Sequence, residues 1–142
     1  LTIVFHELFK QGVMLEGMIL KPNMVISALD CSEQALVEEV AEATIECFLR
    51  VVPPAVPGIC FLSGGQSDLV ATQHLNSMNA MNDALPWKVS FSYGRALQEA
   101  ALNAWGGKSE NIPEAQKAFY HRAQCNGAAA LGHYSNEMEN QV

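Results

Sequence analysis

Apolar positions along the chain follow two alternating patterns. Leu1, Val4, Phe5, Leu8 and Phe9 recur at the spacing of one helix face, and Gly12 supplies a stop. Met14 to Leu20 is short and mostly apolar, holds Gly17 and is closed by Pro22, which predicts a buried strand rather than a helix. Asp30 followed by Glu33 has the form of a capping box. Leu36, Val37, Val40, Ala43, Thr44, Cys47 and Phe48 then mark a helix face ending before Pro53 and Pro54. "ICFL", Ile59 to Leu62, lies between Pro57-Gly58 and Gly64-Gly65 and predicts a second buried strand, followed by a helix opening at Ser67 or Asp68 and running to Asn82.

The pattern repeats beyond Pro86. Trp87, Val89 and Phe91 alternate with Lys88, Ser90 and Ser92, and "ALQEAALNAW" is helical in composition up to Gly106-Gly107. A last helix is predicted from Pro113 to Asn126, with "GAAALGHYSNEMENQV" as a fading tail. Three strand-helix units in succession require parallel strands, because each connection is a helical crossover. The fold class expected is α/β.

Composition narrows the reading. With 142 residues, 49% of them hydrophobic and 16% charged, the sequence describes one folded domain. A net charge of −7 argues against broad attraction to nucleic acid or an anionic membrane, so any anion is held locally. No apolar run approaches the roughly 20 residues that span a bilayer, and no signal segment is apparent at Leu1, which places the expected location in the cytoplasm. Cys31, Cys47, Cys60 and Cys125 have no C-x-x-C pairing and are read as reduced thiols in packed positions. His6, His74, His121 and His133 form no metal-spaced triplet with carboxylates. His121 and Cys125, one helical turn apart, are read as part of a solvated face, so no metal or cofactor is expected.

Lys21, Ser63-Gly64-Gly65 and Ser92-Tyr93-Gly94-Arg95 all follow predicted strands, where parallel α/β proteins place their ligands. Small residues before a helix N-terminus let backbone N–H groups approach an anion, and Arg95 can add two parallel hydrogen bonds. Gly64-Gly65 alone is equally consistent with a plain turn; Ser63 and Arg95 tip the reading to phosphate. Neither G-x-G-x-x-G nor G-x-x-x-x-G-K-[ST] occurs, which favours a small sugar phosphate over a nucleotide.

"VMLEGMILKPN", "VPPAVPGICFLSGGQS", "WKVSFSYGRALQ…ALNAWGGK" and "NIPEAQKAFYHRAQCNGAAALGHY" resemble, in this order, the later segments of class I fructose-bisphosphate aldolase. The resemblance implies that Lys21 forms a Schiff base with the ketone of a sugar bisphosphate. Ser63, Gly64, Gly65, Ser92, Gly94 and Arg95 would then hold a substrate phosphate, and the complete enzyme would be a homo-oligomer, a tetramer by family likeness. An amine with the ordinary lysine pKa of about 10.4 is protonated at neutral pH, so this chemistry predicts a partly desolvated Lys21. Glu16, five residues earlier, falls on the opposite face by strand alternation and is read as a structural carboxylate bonded to neighbouring loops.

Length departs from the family pattern. A (β/α)8 barrel takes about 250 residues, and three strand units correspond to strands six to eight with the terminal helix, so residues 1–142 are expected to be the C-terminal part of a barrel with further catalytic groups upstream. "NMVISALD" lacks a glycine common after the lysine, and the short ending without a terminal tyrosine suits a bacterial version. Two functions remain in view. One is a lyase producing dihydroxyacetone phosphate and glyceraldehyde 3-phosphate as part of a longer chain; the other is a truncated, non-catalytic phosphate-binding or scaffold protein.

Overall fold

The structure, a computed structural model, describes residues 1–81 and 84–140. Helix α1 (Thr2–Lys10) leads through a single 3-10 turn at Leu15–Gly17 into strand β1 (Ile19–Leu20). Helix α2 (Val37–Val51), strand β2 (Gly58–Phe61), helix α3 (Asp68–Ala80), strand β3 (Lys88–Phe91) and helix α4 (Arg95–Trp105) follow, then helix α5 (Ile112–Ala129). The strands form a parallel sheet in the order β1-β2-β3, as the helical crossovers require.

Register places Leu20, Ile59 and Val89 side by side, with Phe61 and Phe91 one pleat further on. Leu20, Ile59, Phe61 and Val89 are all buried and face the helices. Phe61 stacks on Phe48 of α2 with ring centroids 5.7 Å apart. Ala41, Thr44, Ile45 and Phe48 fall on one stripe of α2, and Ala71, Leu75 and Met78 on one stripe of α3, which is how helical periodicity closes this side of the sheet. These packed rows are the architecture of part of an α/β barrel wall, with helices outside and strands inside.

Two boundaries depart from the sequence reading. Met14 to Leu20 is not one strand: Gly17 N–H donates to Met14 O at 3.2 Å and Met18 N–H to Leu15 O at 3.2 Å, so the chain coils once before pairing. Glu16 consequently does not follow strand alternation; it is exposed and bonds to no described loop. Asp30 and Glu33 do not cap α2. The Gln34 side-chain amide donates to Ala28 O and Cys31 O at 3.0 and 2.9 Å, closing that segment as a loop, and Glu39 accepts the Leu36 N–H at 2.7 Å at the true helix start. Helix α3 opens where expected, with Ser67 Oγ accepting Val70 N–H at 3.2 Å, while Asn82 lies outside the described residues.

The ending is not a fading tail. Helix α5 continues to Ala129, Gly132 (φ +71) turns the chain closely past the Asn79–Ala80 backbone, and Tyr134 is buried. Tyr134 N–H donates to Asn76 Oδ1 at 2.9 Å, and its hydroxyl donates to Glu139 Oε1 at 2.7 Å. Glu139 also pairs with the buried Arg122 of α5. Burial alone would raise the Glu139 carboxyl, but hydrogen bonds from Arg122 and Tyr134 outweigh it and hold the group below the ordinary glutamate value.

Candidate phosphate and lysine site

Continuing the register one residue past β1 puts Lys21 level with Cys60 and Ser90, on the sheet face away from the helices. The ladder itself continues: Leu62 N–H donates to Pro22 O at 3.0 Å and Ser92 N–H to Phe61 O at 2.8 Å. The three loops carrying the sequence-predicted residues therefore leave adjacent strands at one end of the sheet, with the Ser63–Gly65 turn between Lys21 and Ser92–Arg95.

Lys21 is exposed, contrary to the desolvation expected of it. The reason is geometric. Ile19, Lys21 and Ser92 are exposed and Cys60, Leu62 and Ser90 only half-buried, because the face opposite the helices has no second layer among the described residues. Pro22 carries no N–H, and the segment from Pro22 to Leu36 leaves the sheet after its carbonyl has paired with Leu62. Val25 N–H then donates to the buried Thr44 hydroxyl at 2.9 Å, which ties the loop carrying Lys21 to α2 without the missing glycine.

The central turn has the build of an anion cradle. Gly64 and Gly65 take φ of +61 and +87, a pair of left-handed conformations that side chains avoid, and Gln66 N–H closes the turn on Ser63 O at 3.0 Å. Backbone N–H groups of Gly64 and Gly65 donate to no described residue. Ser63 is buried, yet its hydroxyl bonds to no described residue. From the next strand, Gly94 caps α4 through its carbonyl, which accepts from Leu97 and Gln98 N–H at 3.1 Å each. Arg95 is thus the first helical residue; it is exposed and forms no ion pair among the described residues. Free N–H groups at a helix start beside a guanidinium suit a phosphate oxyanion. Tyr93 packs: it is buried, donates to Ala71 O at 2.8 Å, and burial raises its hydroxyl above the ordinary value.

Three supporting residues escaped the sequence reading. Asn23 lies so close over Gly64 that a Cβ there would displace its side-chain amide, in addition to the strain that the positive φ imposes on any side chain. Gln66 donates through Nε2 to Ser63 O at 2.9 Å and reaches Met24 Sδ at 3.5 Å. His74 Nδ1 stands 2.6 Å from Gln66 Oε1. Asn23 follows directly on the Lys21-Pro22 pair and Gln66 on the glycine pair, a local cue; His74 sits eight residues along a helix with no cue at all.

A second cluster lies on α5. Cys125 is buried and His121 half-buried, so the solvated face expected for this pair is not found: the docked tail covers them. His121, Cys125 and Glu139 bring one ligand atom each within 4.8 Å of one another. The Arg122 guanidinium shares Glu139 Oε2 with His121, and that fixed positive charge opposes a cation there. All four cysteines are free thiols, with Cys31 exposed rather than packed. No helix among the described residues is long and apolar enough to cross a membrane.

Comparison with known proteins finds likeness along the whole chain. The family model described as fructose-bisphosphate aldolase class-I matches residues 1–142. A probable fructose-bisphosphate aldolase class 1 of Xylella fastidiosa is 53% identical over 133 residues, covering 93% of this chain and 40% of the relative. Fructose-bisphosphate aldolase B of Gallus gallus is also 53% identical, over 134 residues, covering 94% of this chain and 37% of its own length, so overall likeness does not single out a bacterial origin. A solved structure of fructose-bisphosphate aldolase from Plasmodium falciparum, in complex with TRAP and a small-molecule inhibitor, superposes with a TM-score of 0.92 at 45% identity, covering 95% of this chain and 39% of that one. The chain spans about 40% of the length of the curated relatives it matches. Both the match from first residue to last and the superposition of its helices and sheet lead to one conclusion: this chain belongs to the class I fructose-bisphosphate aldolase family.

Proposed function

We propose that this chain supplies the imine-forming lysine and one phosphate site of a fructose 1,6-bisphosphate aldolase, acting as strand units six to eight and the terminal helix of a longer (β/α)8 chain. The observation that carries the reading is the placement of Lys21 on the open sheet face, one strand from the Ser63–Gly65 turn and two from Arg95. Lys21 Nζ attacks the substrate ketone and water leaves, giving an imine. Protonated, that imine withdraws electrons so that the C3–C4 bond breaks with its pair held as an enamine. Ser63, Gly64, Gly65, Ser92, Gly94 and Arg95 hold a substrate phosphate and orient the ketone toward Lys21, so phosphate binding contributes to turnover as well as to affinity. The C4 hydroxyl gives its proton to a base from the upstream part of the enzyme as glyceraldehyde 3-phosphate leaves; a proton returned to C3 of the enamine gives a second imine, whose hydrolysis releases dihydroxyacetone phosphate and frees Lys21.

In the longer enzyme the remaining strands cover the open face and desolvate Lys21, which makes the free amine available. This chain alone would therefore bind phosphate weakly and not turn over. We read the enzyme as cytoplasmic, serving glycolysis, gluconeogenesis or carbon fixation, and as a homo-oligomer, a tetramer by likeness to its family. The test is a pair of treatments of the longer enzyme. Activity should persist in a chelator and be abolished by borohydride added with dihydroxyacetone phosphate, because reduction fixes the imine carbon on nitrogen. Loss of activity in chelator, with no effect of borohydride, would replace the imine with a metal-held enolate.

A further inference from the structure

The phosphate turn is not held by its own backbone alone. Gln66 closes it twice, through its N–H at 3.0 Å and its side-chain Nε2 at 2.9 Å, both onto the Ser63 carbonyl. A trans peptide points its C=O and the following N–H in opposite directions, so fixing the Ser63 carbonyl toward Gln66 turns the Gly64 N–H away from the turn's interior. Gly64 and Gly65 are the residues least able to fix that orientation themselves, since glycine samples positive and negative φ alike. The Gln66 side chain therefore matters, and what holds it is His74.

His74 is 5% exposed on α3, between Gln66 and the core around Leu75 and Met78. Its Nδ1 lies 2.6 Å from Gln66 Oε1. The amide orientation settles which partner donates: with Nε2 given to the Ser63 carbonyl, Oε1 faces the ring, and the reverse orientation would set two acceptors against each other. His74 Nδ1 must therefore carry the proton. Burial pushes His74 below the ordinary histidine value, with Glu38 opposing, which favours the neutral ring with a single N–H.

We propose that His74 is a positioning residue for the phosphate site: its Nδ1–H orients the Gln66 amide, which fixes the Ser63 carbonyl and so aims the Gly64 N–H at the bound phosphate. This rests on the phosphate reading of the turn given above. The chain of bonds runs from a helix core to a loop of two left-handed glycines without touching substrate, so its effect enters only through the phosphate held at that loop and depends on the substrate carrying it.

The test measures kcat and KM of the longer enzyme on fructose 1,6-bisphosphate and on the two monophosphates that each lack one of its phosphates. His74→Ala removes one directed hydrogen bond behind the turn. KM should rise about fivefold to tenfold on substrates carrying the phosphate held there, and by less than about twofold on the one lacking it. His74→Asn, whose amide nitrogen can occupy the Nδ1 position, should return KM to within about twofold of the original. Gln66→Met, which keeps length and loses both polar atoms, should reproduce the His74→Ala pattern in case the latter does not fold. Arg95→Lys serves as the reference for the site itself. If Arg95→Lys is selective for the phosphate while His74→Ala and Gln66→Met weaken all three substrates alike, or Asn rescues no better than Ala, the positioning role is overturned and the phosphate site stands. If Arg95→Lys is itself unselective, the phosphate reading fails and the inference fails with it.

Discussion

The two faces of the sheet differ in what they need from the rest of the chain. On the helix side Leu20, Ile59, Phe61 and Val89 are buried and each finds its partners within these residues. On the other side Ile19, Lys21 and Ser92 are exposed, and the groups suited to phosphate have no partner among the described residues. One face is a finished wall; the other is a surface prepared for something that is not part of the wall. Packing of a βα unit is settled by its neighbours, whereas a barrel site draws on several strands, and the chain spans about 40% of the length of the relatives it matches.

The sharpest way to break this comparison is to substitute one residue from each face. Lys21→Met in the longer enzyme should lower kcat by on the order of 10^4-fold or more, because it removes the amine proposed to form the imine. The same change should not unfold the longer enzyme, because an apolar side chain of similar length in place of an amine that the covering strands desolvate leaves no buried group unpaired. Phe61→Ala should do the reverse. Phe61 is fully buried against Phe48, and its loss should cost about 3 to 5 kcal/mol in denaturant unfolding, with any surviving folded enzyme retaining the ability to form the imine. If Lys21→Met unfolds the protein, or Phe61→Ala acts only on turnover, the division of labour between the faces is wrong.

Arg95→Lys probes the boundary, where a helix that belongs to the wall presents a side chain to the open face. Charge is kept but one directed bond to phosphate is lost, worth about 1.5 to 3 kcal/mol for a charged partner. The corresponding loss in kcat/KM is roughly 10- to 150-fold on fructose 1,6-bisphosphate, part of it in kcat, and it should shrink on a ketose lacking the phosphate held there. An equal loss on both substrates would move Arg95 to the structural side.

The smallest effect belongs to the docked tail. Glu139 is held below its ordinary value in the fold, so its contribution is present above the unfolded-state value and is lost as pH falls through the lower, folded value. Acid should therefore release residues 134–140 before the sheet unfolds, seen as faster amide exchange there, and Glu139→Gln should remove the pH dependence. Release at an unchanged pH in that variant would assign it to another group.

Much of the wall was legible from the sequence because its signals are local. Helix periodicity from Leu36 to Phe48, the Ser67 cap and the alternation at Trp87, Val89 and Phe91 each act within a few residues, and each is found close to where it was read. Gly17 is the misleading element: its apolar surroundings suggest a residue inside a strand, whereas it closes a 3-10 turn on Met14. The tail was missed for a different reason. Arg122 and Glu139 meet across 17 residues and Tyr134 and Asn76 across 58, and no periodicity reports such pairs. At the site, the glycine pair and Arg95 were visible as residue types suited to an anion, whereas Asn23, Gln66 and His74 act by orienting others and are recognised only from their distances. The expected desolvation of Lys21 could not be judged locally either, since it depends on what faces the sheet.

The central claim is that Lys21 is the group that bonds covalently to substrate. The direct measurement is borohydride reduction of the longer enzyme with dihydroxyacetone phosphate, followed by proteolysis and mass spectrometry of the peptide spanning Val13 to Met24. The account predicts one reduced three-carbon adduct, with or without its phosphate, on Lys21, and none in Lys21→Met. An adduct on a different lysine with Lys21 unmodified, or a full-strength adduct in the Lys21→Met enzyme, would contradict it.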